Sequence, residues 1–184
     1  NKKIITESRD KTVKIWQING KLSRSLERKR FTDENKKNTI SFSSDSKYLV
    51  WLYDDNTIKF LRSDGKIIEK NEYESRVSIT TNPDKKIVAI TKQHNYPVNK
   101  MNKIDLWRMD GKFIKAFKFK DADSSSYFSG FTSDNHLIVK SRISEKIQFW
   151  NFDETLVSSI DKKVSRFSPD FNIFTTIEGN NKVN

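Results

Sequence analysis

An all-β fold is predicted for this chain, specifically a β-propeller fragment of four-stranded antiparallel blades, on three observations. A strand-and-turn pattern recurs four times at an even spacing, an Asx-Gly pair follows three of the four copies at one offset, and a second turn with Ser or Pro before Asp falls between copies. Repeats of this length, each too small to bury its own apolar face, stack on one another to make a continuous core.

The clearest copy runs Asp10-Lys11-Thr12-Val13-Lys14-Ile15-Trp16-Gln17-Ile18-Asn19-Gly20-Lys21. Its counterparts are Asp55 to Lys66, Lys103 to Lys112, and Lys146 to Glu154. Trp16, Leu61, Trp107 and Trp150 hold the same place and stand 45, 46 and 43 residues apart, the repeat length of a propeller blade. Within a copy, Val13 and Ile15 share one face of a strand while Lys14 and Trp16 share the other, as a period of two requires. Asn19-Gly20, Asp64-Gly65 and Asp110-Gly111 then close a hairpin. Such pairs tolerate positive φ at both central positions, which predicts type I′ turns.

The second element is Ser41 to Asp45, Thr81 to Asp84, Gly130 to Asp134 and Arg166 to Asp170. Ser or Pro before Asp suits a type I turn in which the carboxylate accepts nearby backbone N–H groups. A short apolar run follows each: Tyr48 to Leu52, Ile87 to Ile90, Leu137 to Val139 and Ile173 to Ile177. Unbroken runs of this length fit strands covered on both faces.

These residues resemble the WD-repeat β-propeller family, particularly the degenerate tandem repeats of large bacterial multidomain proteins, over essentially the whole chain. The matching features are the strand ending in an aliphatic-Trp pair, the Asp-x-Thr turn before it, the Asx-Gly-Lys turn after it and the Phe-Ser-Pro-Asp-like turn. The Asp that follows Trp in the family is replaced by Gln17, Arg62, Arg108 and Asn151, and no Gly-His pair exists. The family's buried hydrogen-bond chain through His to Trp therefore cannot form intact, and apolar stacking is expected to carry the repeats. The resemblance implies blades running outer, inner, middle and Trp-bearing strand in sequence order.

Blade units are expected at about 1–26, 27–72, 73–119, 120–160 and 161–184, with no second domain: about three complete blades plus a half blade at each end. The chain opens inside a strand without Met and ends at 178–184 in what reads as a turn before another Trp strand. The two halves either pair across a seam to close a small four-bladed ring, or the chain is a piece of a larger ring of about six to eight blades, the reading preferred here. Open blade edges invite self-association.

Composition bounds the chemistry. There is no Cys, which excludes disulfides, thiol nucleophiles and thiolate metal sites, and agrees with a reducing, cytoplasmic setting. No apolar run approaches the length of about 18 residues that spans a membrane, so no membrane partner is expected. The net charge of +11 raises an anionic partner, but the basic residues are mostly Lys scattered along the chain, as on a solvated surface. The two histidines, His94 and His136, lack the nucleophile elbow and oxyanion donors of an acyl-transfer site. His136 reads as a solvated loop residue. Asp121 and Asp123 beside Ser124 to Ser126 lack the Gly and terminal Glu of a calcium loop, and no Gly-rich phosphate loop is present. No enzyme activity, metal or cofactor is expected.

Two stretches carry a nucleic-acid alternative. Arg24, Arg28, Lys29, Arg30, Lys36 and Lys37 surround Phe31, and Lys112, Lys115, Lys118 and Lys120 alternate with Phe113, Phe117 and Phe119. Cations beside aromatic rings bind single strands by neutralisation and stacking, although lysines on an outer strand also guard an exposed edge. The third unit carries a long insertion, Thr91 to Asn102, and loops on a rigid scaffold are where binding concentrates.

The function expected is a non-catalytic protein-interaction or ligand-sensing module within a larger intracellular polypeptide, recognising another protein or a neighbouring domain. The alternative is a basic surface binding nucleic acid or another polyanion non-specifically. The residues expected to meet a partner are Arg28, Arg30 and Phe31 between two blades, Tyr53 and Asp54 in a turn, His94 and Tyr96 in the insertion, and Tyr127.

Overall fold

The computed structural model describes residues 3–8, 12–27, 39–53, 55–92, 103–119, 126–141, 143–161, 164–168, 174–178 and 182–183. Among them every regular element is a β-strand, and no helix is long and apolar enough to cross a membrane. Five antiparallel meanders follow one another along the chain. The first holds β1 (Lys3–Glu7), β2 (Thr12–Gln17) and β3 (Leu22–Glu27). Three four-stranded sheets come next: β4 (Thr39–Phe42) to β5 (Tyr48–Leu52), β6 (Thr57–Arg62) and β7 (Ile67–Glu72); then β8 (Val77–Thr81), β9 (Ile87–Lys92), β10 (Lys103–Arg108) and β11 (Phe113–Lys118); then β12 (Ser126–Phe131), β13 (Leu137–Ser141), β14 (Ile147–Trp150) and β15 (Leu156–Ile160). The last sheet is β16 (Val164–Phe167), β17 (Phe174–Glu178) and β18 (Lys182–Val183). Three complete sheets thus stand between two three-stranded ones.

In each four-stranded sheet the strand carrying Leu61, Trp107 or Trp150 comes third, and the strand after the Asx turn comes fourth, at the edge. The sequence repeat, which ends on the Trp strand, is offset from the sheet by one strand. At 178–184, where a turn was expected, Lys182 and Val183 already pair with Glu178 and Ile177.

The Asx-Gly turns differ from the type expected. Gly20, Gly65 and Gly111 have φ of 82°, 86° and 82°, but the Asx residues before them are not among the positive-φ residues, so type I′ does not apply. Instead the glycine N–H donates back to the residue three earlier, as in Gly65 N to Arg62 O at 2.8 Å, with glycine left-handed after a type I turn. The Asx side chain stays in the right-handed region because its oxygen is occupied locally: Asp64 Oδ1 accepts from Lys66 N at 3.0 Å, and Asn19, Asp110 and Asp153 do the same. Glu154 fills the glycine place of the fourth copy with φ 72°.

Each hairpin then carries a bulge at one equivalent point. Ile15 pairs with Arg24 but Trp16 with Leu22, and the same one-residue slip falls at Ile68, Ile114 and Val157. The extra residue turns two adjacent apolar side chains outward on the edge strand, which is why Ile67 with Ile68, Phe113 with Ile114 and Leu156 with Val157 are all exposed.

Contacts divide the chain into two compact units, one of residues 1–74, 84–86 and 108–112, the other of 75–83, 87–107 and 113–184. In the first, Val13, Ile15, Leu49, Trp51, Tyr53 and Leu61 form the core. There the Gly65 tip lies against Arg24 and Leu26 of β3, and the Gly111 tip against Phe60, Ile68 and Glu69. In the second, Ala89, Ile104, Leu106 and Phe117 pack against Leu137, Val139 and Trp150. The same sheet of β12 to β15 buries Ile138, Ile147 and Phe149 on its other face, so the apolar run at 137–139 is covered on both sides, as its sequence implies. Lys115 reaches from β11 to the next tip, donating to Phe152 O at 3.1 Å and pairing with Glu154 at 2.8 Å.

The polar chain to Trp survives only in part. Trp16 Nε1 donates to Thr6 Oγ1 at 2.8 Å, whereas the buried indole nitrogens of Trp51 and Trp150 have no hydrogen-bond partner among the described residues. A net hydrogen bond contributes about 0.5–1.5 kcal/mol, while burying one large apolar side chain contributes roughly 1.5–3 kcal/mol. Stacking therefore dominates.

Candidate binding surface

Each four-stranded sheet has two unlike ends. At one end lie the Asx tips and the tight Ser/Thr/Asn-based turns. Ser43 Oγ accepts from Tyr48 N at 3.0 Å and donates to Asp45 Oδ1 at 2.7 Å; Asn82 Oδ1 accepts from Ile87 N at 2.8 Å. These turns bond to the tips beside them, as Ser63 N to Lys47 O at 2.8 Å and Met109 N to Lys86 O at 2.9 Å. Polar groups at this end are consumed in closing the turns.

His136 belongs to this end and is not simply a solvated loop residue. Its N–H donates to Thr132 Oγ1 at 2.8 Å, and Nδ1 lies 3.1 Å from Asp134 Oδ2. The Thr132 hydroxyl bonds the same carboxylate, and that bond first, then the neighbouring His136, holds the Asp134 carboxyl below its ordinary value. Asn82 Nδ2 donates to Asn135 Oδ1 at 2.7 Å, tying this turn to the end of β8. The set is a turn lock in which Thr132 and His136 both engage the Asp134 carboxylate.

The connections to which most of the sequence-predicted residues belong leave from the other end. In the first unit Thr39 pairs with Leu52, so the segment before β4 and the turn after β5 leave from one end. Arg28, Arg30, Phe31 and Asp54 fall on these connections but outside the described residues. Tyr53 is described and corrects an expectation: at 6% exposure it is core rather than contact surface. Its ring stacks on Trp51 at 4.4 Å and 20°, and Lys59 Nζ caps it at 4.4 Å. Residues two apart at a strand end share a face, so Tyr53 continues the Trp51 side of β5 into the core. Burial, then the charge of Asp55, pushes its phenol well above the ordinary range.

In the second unit Lys92 pairs with Val77 and Ser126 with Ser141. Since the bond from Asn82 to Asn135 joins the opposite ends of β8 and β12, the insertion after Lys92 and the start of β12 share one end. His94 and Tyr96 lie on that insertion, outside the described residues. Tyr127 is half-buried and stands directly across from Lys140, also half-buried. Paired residues on adjacent antiparallel strands project from the same face. Burial pushes the Lys140 ammonium down from its ordinary value. Lys140 was missed in the sequence; the signal available was a lysine closing the apolar run Leu137-Ile138-Val139.

The basic stretch at Lys112 to Lys120 does not offer a row of rings. Phe117 and Phe119 are buried, while Phe113 is 52% exposed and edge-on to Trp107 at 5.1 Å. Lys115 is held by Glu154, and β11 is an edge strand. Among the described residues no three metal-ligating side chains gather.

No protein-family model matches the chain, and no curated protein matches it. Solved structures do: one titled as the dihydro-heme d1 dehydrogenase NirN in complex with DHE superposes with a TM-score of 0.62 at 12% identity, over 95% of this chain. The chain spans 39% of that structure. At this identity the likeness concerns fold alone, and the sheets described above are those of a β-propeller fragment.

Proposed function

We propose that the chain is a non-catalytic interaction module, a degenerate WD-repeat-type propeller piece of a larger intracellular polypeptide, whose contact surface is the loop end of its sheets. The partner is an acidic segment of another protein or of a neighbouring domain. The observation that carries this reading is the pairing of Tyr127 with Lys140 at the end from which the insertion leaves. A lysine ammonium on that face can make a charge-assisted bond to a carboxylate of the partner. A phenol on the same face adds a rigid amphipathic contact.

The polyanion alternative loses support at Lys112 to Lys120, since Phe117 and Phe119 are unavailable for stacking. The dehydrogenase named above lends its fold and nothing about residue roles.

Fluorescence anisotropy with a labelled acidic peptide and a single-stranded oligonucleotide, each titrated across salt concentrations, tests the reading. The peptide is expected to bind, about tenfold more weakly to Tyr127→Ala and to Lys140→Met, the scale of an interface hot spot. Peptide affinity in both variants unchanged from that of the unmodified chain would refute the surface. Binding to the oligonucleotide alone, with affinity collapsing as salt rises, would favour the polyanion class.

A further inference from the structure

Asn19 is followed by Gly20, and no other asparagine in the chain precedes a glycine. Without a Cβ, the nitrogen of glycine stands open to the side-chain carboxamide before it. Asn19 is exposed, and a Cβ built on Gly20 has nothing within 4 Å. Asn19 Oδ1 accepts from Lys21 N at 3.1 Å, which closes a ring that contains the Gly20 nitrogen. The same N–H is aimed at the oxygen on which charge develops when the carboxamide is attacked.

The other copies show what this place accepts. Asp64, Asp110 and Asp153 stand where Asn19 stands, and their carboxylates accept the equivalent N–H from Lys66 at 3.0 Å, Lys112 at 3.3 Å and Thr155 at 2.9 Å. The bond from Lys66 is the first cause that holds the Asp64 carboxyl below its ordinary value, so the turn favours the anion. Seating of a tip does not close the place. The Gly65 and Gly111 tips are seated, with an added Cβ 3.1 Å from Arg24 Cγ and from Glu69 Cβ, yet the side chains of Asp64 and Asp110 stay 54% and 17% exposed.

We propose that Asn19 is a site of spontaneous deamidation, a modification that turns the amide copy of the tip into the acid that its counterparts carry. The Gly20 N–H leaves Gln17 O, to which it donates at 3.0 Å, and loses its proton to hydroxide. The nitrogen attacks Asn19 Cγ, the amide C–N bond breaks, and ammonia departs with a proton from water, leaving a cyclic imide. Water then opens the imide. Cleavage of the new N–Cγ bond gives aspartate, and cleavage at the backbone carbonyl gives isoaspartate. The net reaction consumes water and releases ammonium, with no oxidant or reductant. Aspartate restores the bonds of the tip, whereas isoaspartate carries the main chain through Cβ and Cγ and so lengthens the turn.

The unmodified chain, held folded at mildly alkaline pH, is sampled over days, digested and mapped by mass spectrometry, with isoaspartate counted in each peptide by enzymatic methylation. Acid is expected at Asn19 about tenfold sooner than at Asn56 and Asn151, which precede Thr57 and Phe152, a difference of roughly 1.4 kcal/mol in barrier. Gly20→Ala is expected to slow the reaction about tenfold. Circular dichroism checks that this variant folds; should it not, the comparison with Asn56 and Asn151 decides. Asn19→Asp is expected to melt with the unmodified chain, because Asp64, Asp110 and Asp153 already make the same bond. Acid at Asn19 no sooner than at the two other asparagines, or a rate unchanged in folded Gly20→Ala, overturns the site. An Asn19→Asp chain that melts well below the unmodified one overturns the fit of its product.

Discussion

Gly20, Gly65 and Gly111 form a natural series for measuring what a seated tip contributes. All three share nearly one backbone conformation, φ 82°, 86° and 82°, and all belong to one compact unit, so a single transition reads them. Alanine in the left-handed region costs about 1–2 kcal/mol, less about 0.4–1 kcal/mol from the stiffer unfolded chain. That leaves Gly20→Ala, whose Cβ meets open space, at about 0–1.6 kcal/mol. Gly111→Ala adds crowding against Glu69 Cβ at 3.1 Å, Ile68 Cγ2 at 3.3 Å and Phe60 Cβ at 3.3 Å. Two of these are Cβ atoms that cannot swing away, so overpacking of about 1–3 kcal/mol is added. Gly65→Ala falls between, since Arg24 Cγ and Nε can move whereas Leu26 Cδ2 at 3.1 Å is less free. Differential scanning calorimetry at one pH is the assay, with about 2–4 °C expected per kcal/mol for a chain of this size. The expected order of melting temperatures is Gly20→Ala above Gly65→Ala above Gly111→Ala. Equal losses at Gly20 and Gly111 would refute the seating argument, because backbone strain alone would then explain both.

Two further perturbations follow from the core and the turns. Phe117→Ala removes a ring with no exposure that meets Phe119 at 5.2 Å and Trp150 at 6.3 Å; a loss of about 3–5 kcal/mol by denaturant titration is expected, and a loss below about 1 kcal/mol would mean that the two sheets do not share that core. Asp134 has its carboxyl held below the ordinary 3.8, so its contribution is present above that value and is lost as pH falls through the lowered one. Asp134→Asn is therefore expected to flatten the fall of melting temperature between about pH 5 and pH 2, and an unchanged slope would assign the acid sensitivity elsewhere.

Much of the fold was legible because period-two alternation and turn chemistry are local properties. The spacing of Trp16, Leu61, Trp107 and Trp150 and the runs at 48–52, 87–90 and 137–139 reappear as third and second strands. The turn type was not legible, since Asn-Gly suits both a type I′ turn and a type I turn followed by left-handed glycine; the four bulges decide it through strand register, which is a pairing property. Tyr53 was misplaced because its position after a strand suggests a loop, while its ring, two residues from Trp51, is drawn onto that face. Lys140 was missed for a related reason: its place beside Tyr127 depends on which residue lies across an antiparallel pair.

The two ends of each sheet also differ in how much length they accept. Connections at the tip end take four to six residues throughout, whereas those at the opposite end run from three, at 161–163, to eleven, at 28–38. The tip-end connections have the same total length in all three intervals, so the uneven spacing of 45, 46 and 43 residues arises in the strands and in the connections at the second end. A peptide graft should accordingly be accepted within 93–102 or 143–146 and rejected within 109–112, so sequence drift has free room on only one side of the molecule's sheets.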